Sequence, residues 1–260
     1  MNFNHHSASV LPFHLDLEGK LHFVMEQKDS GYKAPFFDNG LNFLGGNWEK
    51  GIHSDKSPVE TVDREINEEF WEKYEAPESL NALLGQEFLA REPQVAALYG
   101  ASDVQRIKQV VPLFLSGMKH AGDYAVTVNP PITKTPLIYG STIFVKSLSA
   151  DELKNIEQIL KEFDGKLTTD NLKWGSRIVS VSLADINQKG RKFSWGYCSV
   201  VNALLANGYL PKQPNGVLRP LSLIGVSPLN CPPEVERTEA GCPTYAGFEK
   251  AGCSYSEKKK

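Results

Sequence analysis

At 260 residues with 41% hydrophobic and 23% charged side chains, the chain has an ordinary globular composition, enough for one large domain or two small ones. Its formal charge of −3 removes any global electrostatic reason to bind nucleic acid or an anionic membrane. No run approaches the ~18 apolar residues of a membrane span, and the opening MNFNHHSASVLPFHL lacks the basic leader and apolar core of a signal peptide. The expectation is a soluble, cytoplasmic protein that does not engage membranes; leaderless secretion would leave no mark in such a sequence.

Residues 9–28 set apolar side chains on both sides of the polar turn Leu17-Glu18-Gly19-Lys20, which predicts a β-hairpin. Residues 29–40, rich in Asp, Gly, Pro and Asn, read as a loop, and Leu41-Asn42-Phe43-Leu44 as a short strand leading to Gly45-Gly46. Without a Cβ, that glycine pair permits positive φ or close approach of the backbone to a ligand or helix. Ser57-Pro58-Val59-Glu60 is a capping box with proline at the first helical position. Val62, Ile66 and Phe70 then recur every four residues as a buried stripe with Val59 at its edge.

Beyond Ala76-Pro77, which ends this helix, residues 75–109 carry mixed signals. Residues 110–115 (VVPLFL) and 142–146 resemble buried strands, separated by a constrained loop or irregular hairpin over 120–140. Ser149-Ala150-Asp151-Glu152 opens an amphipathic helix with Leu153, Ile156, Ile159, Leu160 and Phe163 on its apolar face. Residues 177–183 read as a strand and 199–210 as a last helix, stopped by Gly208 and Pro211.

From residue 213 onward Pro, Gly and Ser dominate, which predicts a partly disordered extension anchored by residues such as Leu221, Leu223 and Ile224, with a protein partner as its alternative use. Three of the four cysteines, Cys231, Cys242 and Cys253, lie in this extension; Cys198 does not. No pair has CxxC spacing, so reduced thiols are expected rather than a zinc site.

The chemistry is concentrated in residues 45–74, GGNWEKGIHSDKSPVETVDREINEEFWEKY. Glu65, Glu68 and Glu69 fall within an arc of about 100° beside the apolar stripe, with Arg64 preceding them. Carboxylates three and four residues apart repel by a few tenths of a kcal/mol on a bare helix. A hard cation such as Mg²⁺ would turn that repulsion into ligation. A solvated acidic helix face is the plain alternative.

Residues 45–71 resemble the signature of the Nudix hydrolases, GX5EX7REUXEEXGU. Gly45, Gly46, Glu49 and Gly51 correspond to the glycine-rich turn, Ser57-Pro58 to the helix start, and residues 64–69 (REINEE) to the REUXEE core without a mismatch. Residues 52–56 depart from the pattern's spacing, leaving Asp55 as the substitute for the glutamate that follows the glycine, and Trp71 stands where a glycine is usual.

The resemblance implies an α/β protein, an α/β/α sandwich with a mixed β-sheet over residues 8–211, an insertion around 75–109 and a C-terminal extension over 212–260. It implies metal-dependent hydrolysis of a nucleoside diphosphate linked to another moiety, with Mg²⁺ or Mn²⁺ as cofactor. Glu65 and Glu69 would be principal metal ligands, Glu68 a further ligand or the general base, Glu49 an additional ligand, and Arg64 the cation orienting the carboxylates. Gly45 and Gly46 would approach the cofactor and substrate through their backbone. Glu152 or Asp151 could instead supply the base, although acids at a helix N-terminus are ordinarily there for its dipole.

A nucleotide-type small molecule is the partner expected, and net charge lends no support to capped RNA. Phe36, Phe37, Phe43, Trp48, Tyr124 and Tyr139 could stack on a base, and His53 and Lys56 could touch a phosphate; core and solvated-loop roles are their commoner uses. Two other readings stay open. One is a catalytically silent Nudix-like domain that binds a nucleotide or protein, and the other an isoprenoid-diphosphate isomerase, which would want a reactive cysteine in its pocket.

Overall fold

The computed structural model describes residues 2–3, 5–28, 37–48, 55–67, 109–130, 132, 135–163, 177–189, 191–214, 216–229 and 254–255. Glu49, Glu68, Glu69, Phe70, Trp71, Phe36, His53, all of the insertion around 75–109 but its last residue, and three of the cysteines lie outside them.

An eight-stranded mixed sheet organises the chain, built on the parallel pair β2 (His5–Leu15) and β7 (Leu137–Ser147). The first half of β2 pairs antiparallel with β5 (Leu44–Asn47), and its second half with β3 (Leu21–Gln27). β3 also carries β4 (Leu41–Asn42) and β8 (Arg177–Ser182). β7 pairs antiparallel with β6 (Lys119–Val128), which takes β9 (Ile224–Pro228) on its far edge. Separately, β1 (Asn2–Phe3) pairs with β10 (Ser254–Tyr255).

Strand alternation sends successive side chains to opposite faces, and each face finds its own helices. Ala8, Val10, Val24, Leu44 and Phe144 pack with α1 (Pro58–Asn67), α2 (Val111–Leu115) and α3 (Ala150–Phe163) through Val62, Ile66, Phe114, Ile156 and Ile159. Leu11, Phe23, Met25, Phe43 and Ile143 pack on the other side with α4 (Leu183–Gln188) and α5 (Tyr197–Ala206) through Leu183, Ile186, Val201 and Leu204. The chain is thus an α/β sandwich with the sheet between two helical layers. Among the described residues no helix is long and apolar enough to cross a membrane.

The 9–28 hairpin forms as read, its turn closed by Asp16, whose carboxylate accepts the Glu18 and Lys20 amides at 2.9 and 2.8 Å. The proline-capped start of α1 also forms, with Ser57 Oγ accepting the Glu60 amide at 3.3 Å. Its reciprocal bond is displaced by one residue: Glu60 accepts from the Lys56 amide at 2.6 Å rather than from Ser57.

Several expectations are corrected. Residues 111–115, read as a buried strand, form α2: Pro112 sits in its first turn, and Val111 and Phe114, three apart, bury one helical face. A five-residue apolar run satisfies either periodicity, and Gly117 at φ 71 closes the turn after it. Of the two forms expected over 120–140, the irregular hairpin is the one found: β6 and β7 pair antiparallel, with a bulge between His120 and Gly122, the latter at φ 138. Leu183 begins α4 instead of ending β8, because Ser182 Oγ accepts the Asp185 amide at 3.0 Å and caps a helix there. α5 starts two residues before the expected Ser199. Residues 224–228, expected within a loose extension, form β9 and pair with β6 over five residues.

Candidate functional site

The glycine pair is not a turn. Gly45 and Gly46 lie inside β5, opposite Ser9 and Ala8 of β2. Gly45 has φ 130, and a Cβ there would overlap the Ala8 carbonyl, so glycine is required by the sheet itself. Gly46 is required by something else. A Cβ on it would overlap the Glu65 carboxylate, which lies directly over the strand backbone. α1 and β5 therefore meet at one point where a backbone without a side chain faces a carboxylate.

Arg64 fixes that meeting. Its guanidinium donates through Nη1 to Glu65 Oε1 at 3.1 Å and through Nη2 to the Asn47 carbonyl at 2.7 Å. Nε and Nη2 also donate to the Asp55 carboxylate, at 3.1 Å to Oδ1 and 2.9 Å to Oδ2. The Arg64 and Asp55 side chains are 8% and 3% exposed, so this pair acts in a poorly screened setting. Thr61 Oγ1 donates to Asp55 Oδ2 at 2.9 Å, and the Trp48 indole N–H donates to the Asp55 carbonyl at 2.8 Å. One buried aspartate thus ties the loop before α1, the helix and the end of β5 to a single arginine.

Of the site residues named from sequence, Arg64, Glu65, Gly45 and Gly46 come together here, and Asp55 lies beside them on the Arg64 guanidinium. Glu49, Glu68 and Glu69 lie outside the described residues. Among the described residues no group of three or more His, Cys, Asp or Glu is arranged to hold a metal. The part that is described does suit a hard cation: a partly buried carboxylate is oriented by an arginine and lies over a strand residue that has no side chain. Thr61 and Trp48 escaped the sequence reading as supports of Asp55. Thr61 stands one helical turn before Arg64, a spacing that puts both on one face and could have indicated it.

The candidate stacking aromatics are mostly core. Phe37, Phe43, Tyr124 and Tyr139 are buried, and Phe43 stacks on Tyr197 with ring centroids 4.1 Å apart. Lys56 is exposed.

Glu152 is committed elsewhere. Its carboxylate accepts the Ser149 amide at 2.7 Å and the Lys146 ammonium at 2.9 Å, and these bonds hold its pKa below the usual range. Lys146 lies four residues further along β7 than Thr142, the register partner of Ala8, so this cap is well separated from Gly46. Capping the helix is its evident work.

Cys198 is buried, and burial raises its thiol to about 11. It is no ready nucleophile, which weighs against the isomerase alternative. Its proton is retained in the folded state and released earlier in the unfolded one. Stability is therefore expected to fall as pH rises from 9 towards 11, with Tyr124, pushed up to about 12 by burial, extending the loss. Cys198→Ala should lose less melting temperature between pH 8 and 10.5 than the parent; an equal loss in both would contradict the assignment.

No protein-family model matches the chain, and no curated protein matches it. Among solved structures, Nudix hydrolases are similar to it. One is a Nudix hydrolase from M. smegmatis, RenU, at 9% identity, covering 72% of this chain and 76% of that one with a TM-score of 0.28. Another is a NUDIX hydrolase from Alicyclobacillus acidocaldarius, at 12% identity, covering 66% of this chain and 91% of that one with a TM-score of 0.30. Likeness at this level carries no argument about chemistry, which must come from the residues.

Proposed function

We propose that the protein is a Nudix-type hydrolase that cleaves a phosphoanhydride bond in a nucleoside diphosphate linked to another moiety, using Mg²⁺ or Mn²⁺. The observation that carries this reading is the Glu65 carboxylate laid over the side-chain-free Gly46 and oriented by the Arg64–Asp55 pair. An acidic helix face that served only solubility would not need a glycine beneath it or a buried arginine beside it.

In this reading Glu65 and the Gly46 backbone would hold the cation, with Glu69 and Glu49 as further ligands. When bound, the divalent ion supplies Lewis-acid stabilisation of charge on the diphosphate. Arg64 aims the Glu65 carboxylate, and Asp55 compensates the buried guanidinium so that it is not drawn to the substrate. Glu68 is the base assigned to water activation.

The test is a panel of ADP-ribose, NADH, dinucleoside polyphosphates, nucleoside triphosphates and capped RNA with Mg²⁺ or Mn²⁺, run on the parent chain and on Glu65→Gln. Turnover of at least one compound is expected. Outer-shell partners of metal sites alone are worth ~10–100-fold, so loss of a ligand should cost about a hundredfold or more. Saturable binding without turnover would favour the silent domain, and activity surviving Glu65→Gln would remove the metal assignment.

A further inference from the structure

A second cleft lies on the face of the sheet opposite α1, between the start of α5, the segment 191–195 and the segment 217–224. Its volume is about 470 Å³, within the ~300–1,000 Å³ typical of small-molecule sites. We propose that this cleft binds a small aromatic phosphate of the mononucleotide class, through Arg191, Lys192 and Arg219 for the phosphate and Trp195 for the ring. The proposal is independent of the hydrolase reading, because the two sites belong to opposite layers.

Its polar lining is one-signed. Arg191, Lys192 and Arg219 line the cleft; among the described residues no Asp or Glu lines it and none of the three is in an ion pair. Asp185, the nearby carboxylate that senses the Arg191 charge, is engaged by Lys189 at 3.3 Å. Three like charges gathered round one concavity repel, and an anion seated between them relieves it. Two arginines favour phosphate in particular, since the planar guanidinium matches its oxygens in pairs. α5 begins at Gly196 without a side-chain cap and turns its positive end to the same space, which adds to the field without being its source.

Apart from Asn187 and Ser199, the rest of the wall is mostly apolar, and it contains a backbone-strained residue, Trp195. Trp195 takes φ 49, a conformation costly for a bulky residue, and persists there because its ring is held from behind. Phe37 lies 4.9 Å from it and Tyr139 meets it edge-on at 6.5 Å, centroid to centroid. The indole remains partly exposed and lines the cleft, a fixed planar surface beside the cations. Val217, 80% exposed, and Leu221 continue the apolar wall. A ring stacked there with its phosphate among the arginines uses both halves of the lining.

The test is calorimetric titration of the full chain, without divalent cation, with adenosine 5′-monophosphate, adenosine and inorganic phosphate. The monophosphate is expected to bind saturably and more tightly than either fragment. Arg191→Ala/Arg219→Ala should weaken it by about tenfold or more, and Trp195→Phe by less, while Glu65→Gln leaves it unchanged. Thermal melting of each variant verifies folding, and Arg219→Ala alone, on an exposed side chain, serves if the double variant is unstable. Absence of saturable binding, binding indifferent to the arginines, or binding lost in Glu65→Gln would each overturn the proposal. Failure here leaves the hydrolase reading untouched, and failure of the substrate panel leaves this one untouched.

Discussion

Gly46→Ala is expected to abolish most hydrolytic activity while leaving the fold standing. The added methyl would overlap the Glu65 carboxylate, and the carboxylate is the end of a flexible side chain that can swing away at small cost. The strand is not strained by the change, since Gly46 shows no positive φ. What is lost is position: displacement of a reacting or ligating group by about 1 Å can cost ~10²-fold in rate. Turnover of whichever compound the panel identifies should therefore fall about a hundredfold with little change in melting temperature. Gly45→Ala provides the contrast. There the methyl would meet the Ala8 carbonyl at an unfavourable φ, so stability falls first. Full activity in Gly46→Ala would show that the Glu65–Gly46 contact plays no part in the chemistry.

Arg64→Ala is expected to give the largest loss of stability. It takes the guanidinium from Asp55, 3% exposed at its side chain, and a donor from the Asn47 carbonyl. Breaking a buried pair by removing one partner typically costs about 3–5 kcal/mol. For a chain of this size that corresponds to roughly 10 °C in melting temperature. Arg64→Lys should rescue little, because a single ammonium cannot serve Asn47, Asp55 and Glu65 at once. Pairing Arg64→Ala with Asp55→Asn should recover part of the loss by removing the buried negative charge as well, and the double-mutant cycle measures that coupling. Unchanged melting of Arg64→Ala would show that Asp55 does not depend on it.

These two variants separate two functions of the same corner. Asp55 and Arg64 hold loop, helix and strand together, whereas Gly46 gives the carboxylate a place to lie. The sequence resemblance had assigned Arg64 the single task of orienting carboxylates. The structure adds a mechanical one, because its donors reach three different elements.

Much of the fold was legible because it is written in near neighbours. The hairpin over β2 and β3 follows from apolar runs flanking a Gly-containing turn, and the start of α1 from Ser57, Pro58 and Glu60, all within four residues. The apolar faces of α1 and α3 follow from helical spacing, and Val62, Ile66, Ile156 and Ile159 are indeed buried. The candidate site was legible to the same extent: the order of Arg64 and Glu65 on one helix is local, and the motif containing them is a short string.

What the sequence could not decide was every choice between two locally permitted states. The VVPLFL run is short enough to be strand or helix, and only a shared pocket for Val111 and Phe114 beneath the sheet selected helix. β9 looks like loose chain by composition, yet β6 offered an unpaired edge that its backbone could satisfy. By itself the sequence determined the hairpin, the cap and amphipathic face of α1, and the run of charged residues on it. Tertiary structure alone decided that Gly46 lies under Glu65, that Asp55 reaches Arg64, and that Arg191 and Arg219 share a cleft. Each of these joins residues from separate elements, and their proximity exists only once the sheet has brought those elements together.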